Sequence, residues 1–226
     1  MGSFWMAAWA VAAKDMKIEW RTKTAFASAI VFAVLVLAVF YFARDPTVVG
    51  ALDIAPGALW VTFTFAAMLG LNRAFMLERE NMAMDALLLA PISPSAIFVG
   101  KLFGNLAFVG VVELVSLPLF ILFYNLPIVR QLPALMGVIA MATIAFVAVG
   151  TLLSSMVVRT RFAELMLPIL LLPFLIPPVV GAVQLTSRIL AGRPLSDMAG
   201  WLKLLASFDI VFVVLCFFLF EATLDE

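Results

Sequence analysis

The chain has 226 residues, of which 65% are hydrophobic and 12% charged, and its mean hydropathy is +1.18. So few charged groups cannot clothe a water-soluble domain of this length, and the balance of 14 basic against 14 acidic side chains excludes the basic surface that nucleic-acid binding requires. A single cysteine, Cys216, permits no disulfide within the chain, and histidine is absent.

No basic region precedes the first apolar residues, so the start does not read as a cleavable signal peptide. Residues 4–21 read instead as an amphipathic helix. Trp5, Trp9, Ala12, Met16 and Trp20 recur at helical spacing on one side, and Lys14, Lys17 and Arg21 fall on another. A helix of this kind lies in the headgroup plane with its indoles at the boundary and its basic groups toward anionic lipid.

Six spans are expected in order: Thr24–Ala43, Pro56–Leu77, Ile97–Tyr124, Pro133–Val157, Ala163–Gln184 and Trp201–Glu221. At about 1.5 Å rise per residue each reaches across a hydrocarbon core of about 30 Å. The first carries a stripe of Ala25, Ala29 and Ala33, suited to close helix contact. Asn72 and Arg73, near the inner end of the second, read as snorkelling groups. The fifth contains Pro168, Pro173, Pro177 and Pro178, which predicts a broken helix. The segment 185–200 behind it, with Arg188 and Arg193, is expected to form a short outer or re-entrant structure. No extramembrane domain fits between the spans, so residues 1–226 form one domain of all-α integral membrane class.

The informative polar groups inside these spans are few. Glu113 sits near the middle of the third, where an ionised carboxyl costs several kcal/mol, so it is protonated, paired across helices or facing a wet cavity. Asn105 lies eight residues earlier, with Gly104 and Gly110 nearby. Asp209, with Ser207, occupies the sixth span. Each reads either as a structural contact between helices or as a substrate or conformational element.

The longest loop, residues 78–94, is patterned. Glu78, Arg79, Glu80 and Asp85 alternate with Met82, Met84, Leu87, Leu88 and Leu89, and Pro91 and Pro94 close the segment. That pattern predicts a short amphipathic helix beneath the membrane, either packed at the interface or docked in a partner's groove.

Orientation follows the basic residues. With the N-terminus in the cytoplasm, Lys14, Lys17, Arg21, Lys23, Arg73, Arg79, Lys101, Arg159 and Arg161 lie inside. Arg44, Arg130, Arg188, Arg193 and Lys203 lie outside. Tyr41, Trp60, Tyr124 and Trp201 then fall at the outer ends of spans as an aromatic belt, and both termini are cytoplasmic. A phosphate-cradling glycine loop is missing, since Gly100-Lys101 lacks the rest of that motif. Serine-hydrolase and zinc-protease motifs are missing too. The chain is therefore expected not to be an enzyme, and to hold no metal or cofactor directly.

On these residues the chain resembles the CcmB family, membrane subunits of the ABC-type haem exporter of bacterial cytochrome c maturation. Ala55-Pro56-Gly57 followed by Trp60 is similar to that family's APG-x-x-W. The loop Asp85, Leu87, Leu88, Leu89, Pro91 ahead of Lys101 is similar to its acidic, Leu-rich, Pro segment. Leu172-Pro173 with Ile176-Pro177 is similar to its LP-x-x-IP element. Met82 departs from the glycine that the family's loop carries, which bears on the bend there.

The resemblance implies an ABC-2 type permease in the bacterial inner membrane, with an N-terminal interfacial helix and a coupling helix between spans two and three. It implies a separate ATPase (CcmA), the membrane proteins CcmC and CcmD, and indirectly the haem chaperone CcmE as partners, with haem as a candidate substrate. Two roles stay open: passage of haem, or coupling of ATP hydrolysis to release of the loaded chaperone. An ABC-2 permease exporting a drug, lipid or glycan and a non-transporting scaffold are the alternatives. Six spans are half of the usual ABC export pathway, so two copies per complex are expected, meeting through the alanine stripe and the fifth span.

Overall fold

A computed structural model of the chain describes residues 2–80, 92–126, 128, 130–157 and 163–224. Seven helices account for nearly all of them: α1 (Gly2–Thr22), α2 (Thr24–Ala43), α3 (Ala51–Glu80), α4 (Pro94–Tyr124), α5 (Leu132–Val157), α6 (Ala163–Leu190) and α7 (Ala199–Leu224). A single 3-10 turn, Leu195–Met198, precedes α7, and no strand occurs among the described residues. Helices α2 to α7 are each long and apolar enough to cross a membrane. The chain is a multi-pass membrane protein.

Local chemistry explains the helix ends. The chain turns from α1 into α2 at Lys23, whose φ of 55° lies in the left-handed region that lysine seldom adopts. Ser93 caps α4 by accepting from the Ala96 N–H at 3.3 Å, with Pro94 at the first helical position, where its missing N–H costs nothing. Pro94 thus opens the third span as well as closing the loop before it. Asn125 ends α4 in the left-handed conformation (φ 48°), which its short amide side chain tolerates.

The centre of the bundle is α3 and α5, the two spans most fully enclosed by their neighbours. Helix α2 packs on α3 and α4, α6 on α3 and α5, and α7 on α5, α6 and α4. Trp60, Phe63, Phe98, Phe120 and Phe146 are wholly buried among Leu37, Leu59, Leu135 and Leu171. Where helices press closest, one partner is glycine. A Cβ at Gly150 would strike Leu71 Cδ1, and one at Gly70 would strike the Phe108 ring. The outermost spans, α2 and α7, leave most of their surface uncovered.

Four expectations from the sequence change here. Helix α6 is unbroken: a proline ring already holds a helical φ, so each proline removes one bond, to the carbonyls of Glu164, Ile169, Pro173 and Phe174, without stopping the helix. The helix therefore runs on through Arg188 to Leu190, and of the two forms expected behind it the short one is found, a connection ending in the 3-10 turn Leu195–Met198. Trp60 is not part of an outer aromatic belt, because its ring is enclosed in the bundle. Ala25, Ala29 and Ala33 are all buried within the chain, the first two in a cluster with Ala66, Ala67 and Val109, so the stripe offers nothing to a second copy.

The fourth change concerns α1, which lies along the first half of α4 in parallel register. Ala8 and Val11 meet Gly100, and Ala12 with Asp15 meets Gly104. Its protein-facing side is Ala8, Val11 and Ala12, while Trp5, Trp9 and Trp20 stand exposed about a quarter-turn away. Ala12 thus leaves the tryptophan stripe.

The α1–α4 contact yields a paired prediction. A Cβ at Gly100 would lie 2.6 Å from the Ala8 carbonyl oxygen and 2.7 Å from Val11 Cβ, atoms that cannot yield without moving the helix. At Gly104 the nearest atom is Asp15 Cβ at 3.4 Å, an ordinary contact. Gly100→Ala should cost about 1–3 kcal/mol, seen as a lower unfolding temperature in detergent. Gly104→Ala should match the parent.

Candidate functional site

Inside the bundle, polar side chains meet in pairs that tie one helix to another. The Asn105 amide donates to Thr151 Oγ1 at 3.0 Å, joining α4 to α5. Eight residues further along α4, Glu113 meets Thr143, eight residues back along α5. Equal steps in opposite senses are what antiparallel neighbours require, so the pairs form two rungs about 12 Å apart. A third bond joins the central and fifth spans, the Trp60 indole N–H donating to Thr186 Oγ1 at 2.8 Å. Near the end of α4 the Tyr124 hydroxyl reaches the Leu37 carbonyl of α2 at 3.5 Å.

Glu113 is the most demanding of these groups. Its carboxyl is buried, and Thr143 Oγ1 lies 2.7 Å from Oε1 and 2.9 Å from Oε2. The same hydroxyl is 2.8 Å from the Ile139 carbonyl. One hydroxyl proton serves only one of these three oxygens at a time. The carboxyl therefore has at most one donor from Thr143, and its remaining lone pairs face a cleft. That cleft, about 250 Å³, runs between α4 and α5 and is walled by Leu106, Gly110, Leu117, Met136, Ile139 and Ala140.

The other sequence-selected residues scatter. Asp209 stands half-buried on α7 with Oδ1 enclosed and without a hydrogen-bond partner among the described residues. Ser207 is exposed, so the two do not form a site. Glu78 and Glu80 lie in the last turn of α3, as a continuation of the second span rather than the opening of a separate helix. Met82, Met84, Asp85, Leu87, Leu88 and Pro91 lie outside the described residues. Ala55, Pro56 and Trp60 are buried on the inner face of α3 and Gly57 is half-buried, whereas Pro173 and Pro177 are exposed on α6 together with Leu172 and Ile176. The two motif segments thus do different things: one builds the core and the other shapes a surface. Lys101 is buried too, at 2% exposure.

Thr143, Thr151 and Thr186 were not singled out from sequence. A hydroxyl in a membrane helix satisfies itself on the carbonyl four residues back, as Thr62 and Ser116 do here, so its presence carries no signal of a partner. The matching eight-residue spacings of Asn105 with Glu113 and Thr143 with Thr151 were the available hint. At the end of the bundle opposite Lys101, Arg188 lies over the Trp201 ring at 5.6 Å and donates to the Gln184 side chain, and Arg44 lies over Tyr41 at 5.2 Å. These cation–ring pairs hold the helix ends where amphipathic rings are expected.

A family model described as CcmB protein matches residues 6–226 of the chain. "Heme exporter protein B" of Pseudomonas aeruginosa is 27% identical over 198 residues, covering 86% of this chain and 87% of that protein. The protein of the same name from Rhodobacter capsulatus is 27% identical over 84% of this chain and 89% of its own length. That of Paracoccus denitrificans is 27% identical over 79% and 82%.

The carboxyl–hydroxyl rung can be tested by stability. Glu113→Gln keeps an acceptor for Thr143 and should leave the unfolding temperature in detergent unchanged. Glu113→Leu abolishes the bond between α4 and α5 and should cost about 0.6–1.7 kcal/mol.

Proposed function

The chain belongs to the CcmB family, and from that membership we propose that it serves as the membrane subunit of a haem-export ABC transporter. The observation that carries this reading is the extent of the match, residues 6–226, which takes in α1 and all six spans. Curated relatives named as haem exporters covering most of the chain do not favour a drug, lipid or glycan permease. ATP binding and hydrolysis belong to a separate ATPase subunit of the CcmA kind, and this chain passes its movement to haem transfer or to release of the haem-loaded chaperone. CcmC-like and CcmD-like proteins complete the complex in the bacterial inner membrane, with both termini of this chain cytoplasmic.

Residues 78–94 are the coupling element in this reading. Its support lies in α3, which continues as one helix to Glu80, past the apolar part that ends at Asn72. A helix anchored by Trp60 at the bundle centre and extended beyond the membrane is a stiff lever. Force applied to its free end is passed to the packed helices rather than absorbed by a loop. Asp85, Leu87 and Leu88 supply the acidic and apolar anchors at that end, and loss of a central apolar anchor costs about 2 kcal/mol.

Two copies of the chain complete the pathway. With the alanine stripe of α2 enclosed, the expected contact falls to the outer side of α6. There Leu165, Ile169, Leu172, Ile176 and the two motif prolines stand exposed.

Both elements have direct tests. Leu87→Ser with Leu88→Ser should weaken recovery of the ATPase in pull-down by about 30-fold and reduce cytochrome c in cells, with membrane insertion unchanged. Full recovery and normal cytochrome c would make the loop a packing element only. For the assembly, Ile176→Cys in a Cys216→Ser background should give a cross-linked pair in native membranes. Absence of the pair, together with a native mass of one copy per ATPase dimer, would refute the two-copy arrangement.

A further inference from the structure

The haem-export reading does not use the cleft between α4 and α5, and its geometry is unlike that of a packing defect. Defects between membrane helices are lined by hydrocarbon alone. Here the buried Glu113 and its partner Thr143 both line the cleft, and the remaining wall is apolar. Gly110, one turn before Glu113 on the same helix, leaves the carboxyl side open: a Cβ there would meet nothing within 4 Å. Leu114 and Ala140 at the rim are exposed, so the mouth opens sideways, toward the hydrocarbon layer, near the middle of both helices.

Three features limit what fits. The depth demands a molecule that partitions into hydrocarbon. A volume of about 250 Å³ admits a head group or a short chain segment but not a helix. The polar chemistry comes from two groups, the Glu113 carboxyl and the Thr143 hydroxyl, and the hydroxyl proton is already contested by three acceptors. No described residue of the wall supplies a nitrogen donor or a positive charge. The complement is an apolar molecule that brings its own donor, and a carboxyl favours a nitrogen donor that carries charge.

We propose that the cleft between α4 and α5 is a ligand site for a lipophilic amine, which enters from the hydrocarbon layer and donates its N–H to the Glu113 carboxyl. Thr143 is the positioning residue: bound to the carboxyl and to the Ile139 carbonyl, it holds the acid toward the mouth. Gly110 sets the space available to the head group.

The test uses the assembled transporter in native membranes and carbodiimide reagents. The O–H of a carboxyl adds across one C=N bond of a carbodiimide: oxygen bonds to the central carbon and the proton moves to nitrogen. The O-acylisourea then rearranges to an N-acylurea, with no atom lost. Dicyclohexylcarbodiimide should add one reagent mass to the peptide bearing Glu113, and Glu113→Gln should abolish it. A fixed-charge, water-soluble carbodiimide should label roughly ten-fold less or worse. Dodecylamine should slow the labelling by about ten-fold, while dodecyltrimethylammonium, with the same chain and charge but no N–H, should not. Gly110→Leu fills the cleft without disturbing the helix and should block labelling while the protein keeps its parent stability.

The proposal is overturned if Glu113 stays unlabelled in folded protein with the parent Gly110. Equal labelling by the fixed-charge reagent, or no protection by dodecylamine, would also overturn it. Labelling of the isolated chain but not of the assembled complex would assign the cleft to a partner's helix and refute the ligand reading. None of these outcomes depends on haem export, so failure here leaves the function above untouched.

Discussion

Hydrocarbon gives a polypeptide no partner for its peptide groups and little reason for one helix to prefer another over lipid. The first fact makes every crossing a helix. The second leaves cohesion to surface contact and to a few hydrogen bonds. The bundle shows both consequences. Its closest approaches run through Gly70, Gly100 and Gly150, each facing a larger group on a neighbouring helix. Among the described residues, side-chain bonds between helices join α3 to α6, α4 to α5 and, near the end of α4, Tyr124 to α2. Enclosure of α3 and α5 follows, because these helices offer small residues and hydroxyls on several sides at once.

This economy also explains the asymmetry of the molecule. One side of α4 is occupied by α1 through a glycine seam, and another is linked to α5 by two polar rungs. Between the rungs and the lipid lies a cleft that neither helix fills. The outer faces of α2, α6 and α7 are largely apolar, as lipid or further helices require. A transporter subunit that works only in a larger assembly needs both kinds of surface, a rigid middle to carry force and open flanks for partners. The unbroken course of α6 through four prolines fits that division, since its inner side packs on α5 while the prolines at 173 and 177 face outward.

How much of this was legible in the residues differs from element to element. The bounds of α2 and the far end of α4 agree with the sequence to the residue, because a long apolar run ending in a polar or aromatic group has few alternatives. The beginnings of α3 and α4 and the end of α6 lie three to six residues beyond the expected bounds, Pro56→Ala51, Ile97→Pro94 and Gln184→Leu190. In each case polar residues can continue a helix outside the hydrocarbon, which hydropathy does not register. The prolines of α6 misled for a related reason: in water they would end a helix, whereas in a bundle the lost bonds are less costly than an exposed break.

Apolar length determined, from sequence alone, that the chain has six helices able to cross a membrane, and the spacing of the first residues gave a helix before them. Its motifs pointed to a family that the whole-length match bears out. Rotation of each helix about its axis was left to the tertiary structure. Hydrophobic periodicity is nearly absent when lipid and core are equally apolar, so no stripe told which side of α2 would be enclosed or that Trp60 would turn inward to Thr186. Glu113 could be named from its place in the chain, but not its hydroxyl partner or the cleft beside it. Those depend on which side of α5 meets α4, and that is settled only when glycine seams, ring packing and the few available hydrogen bonds are satisfied together.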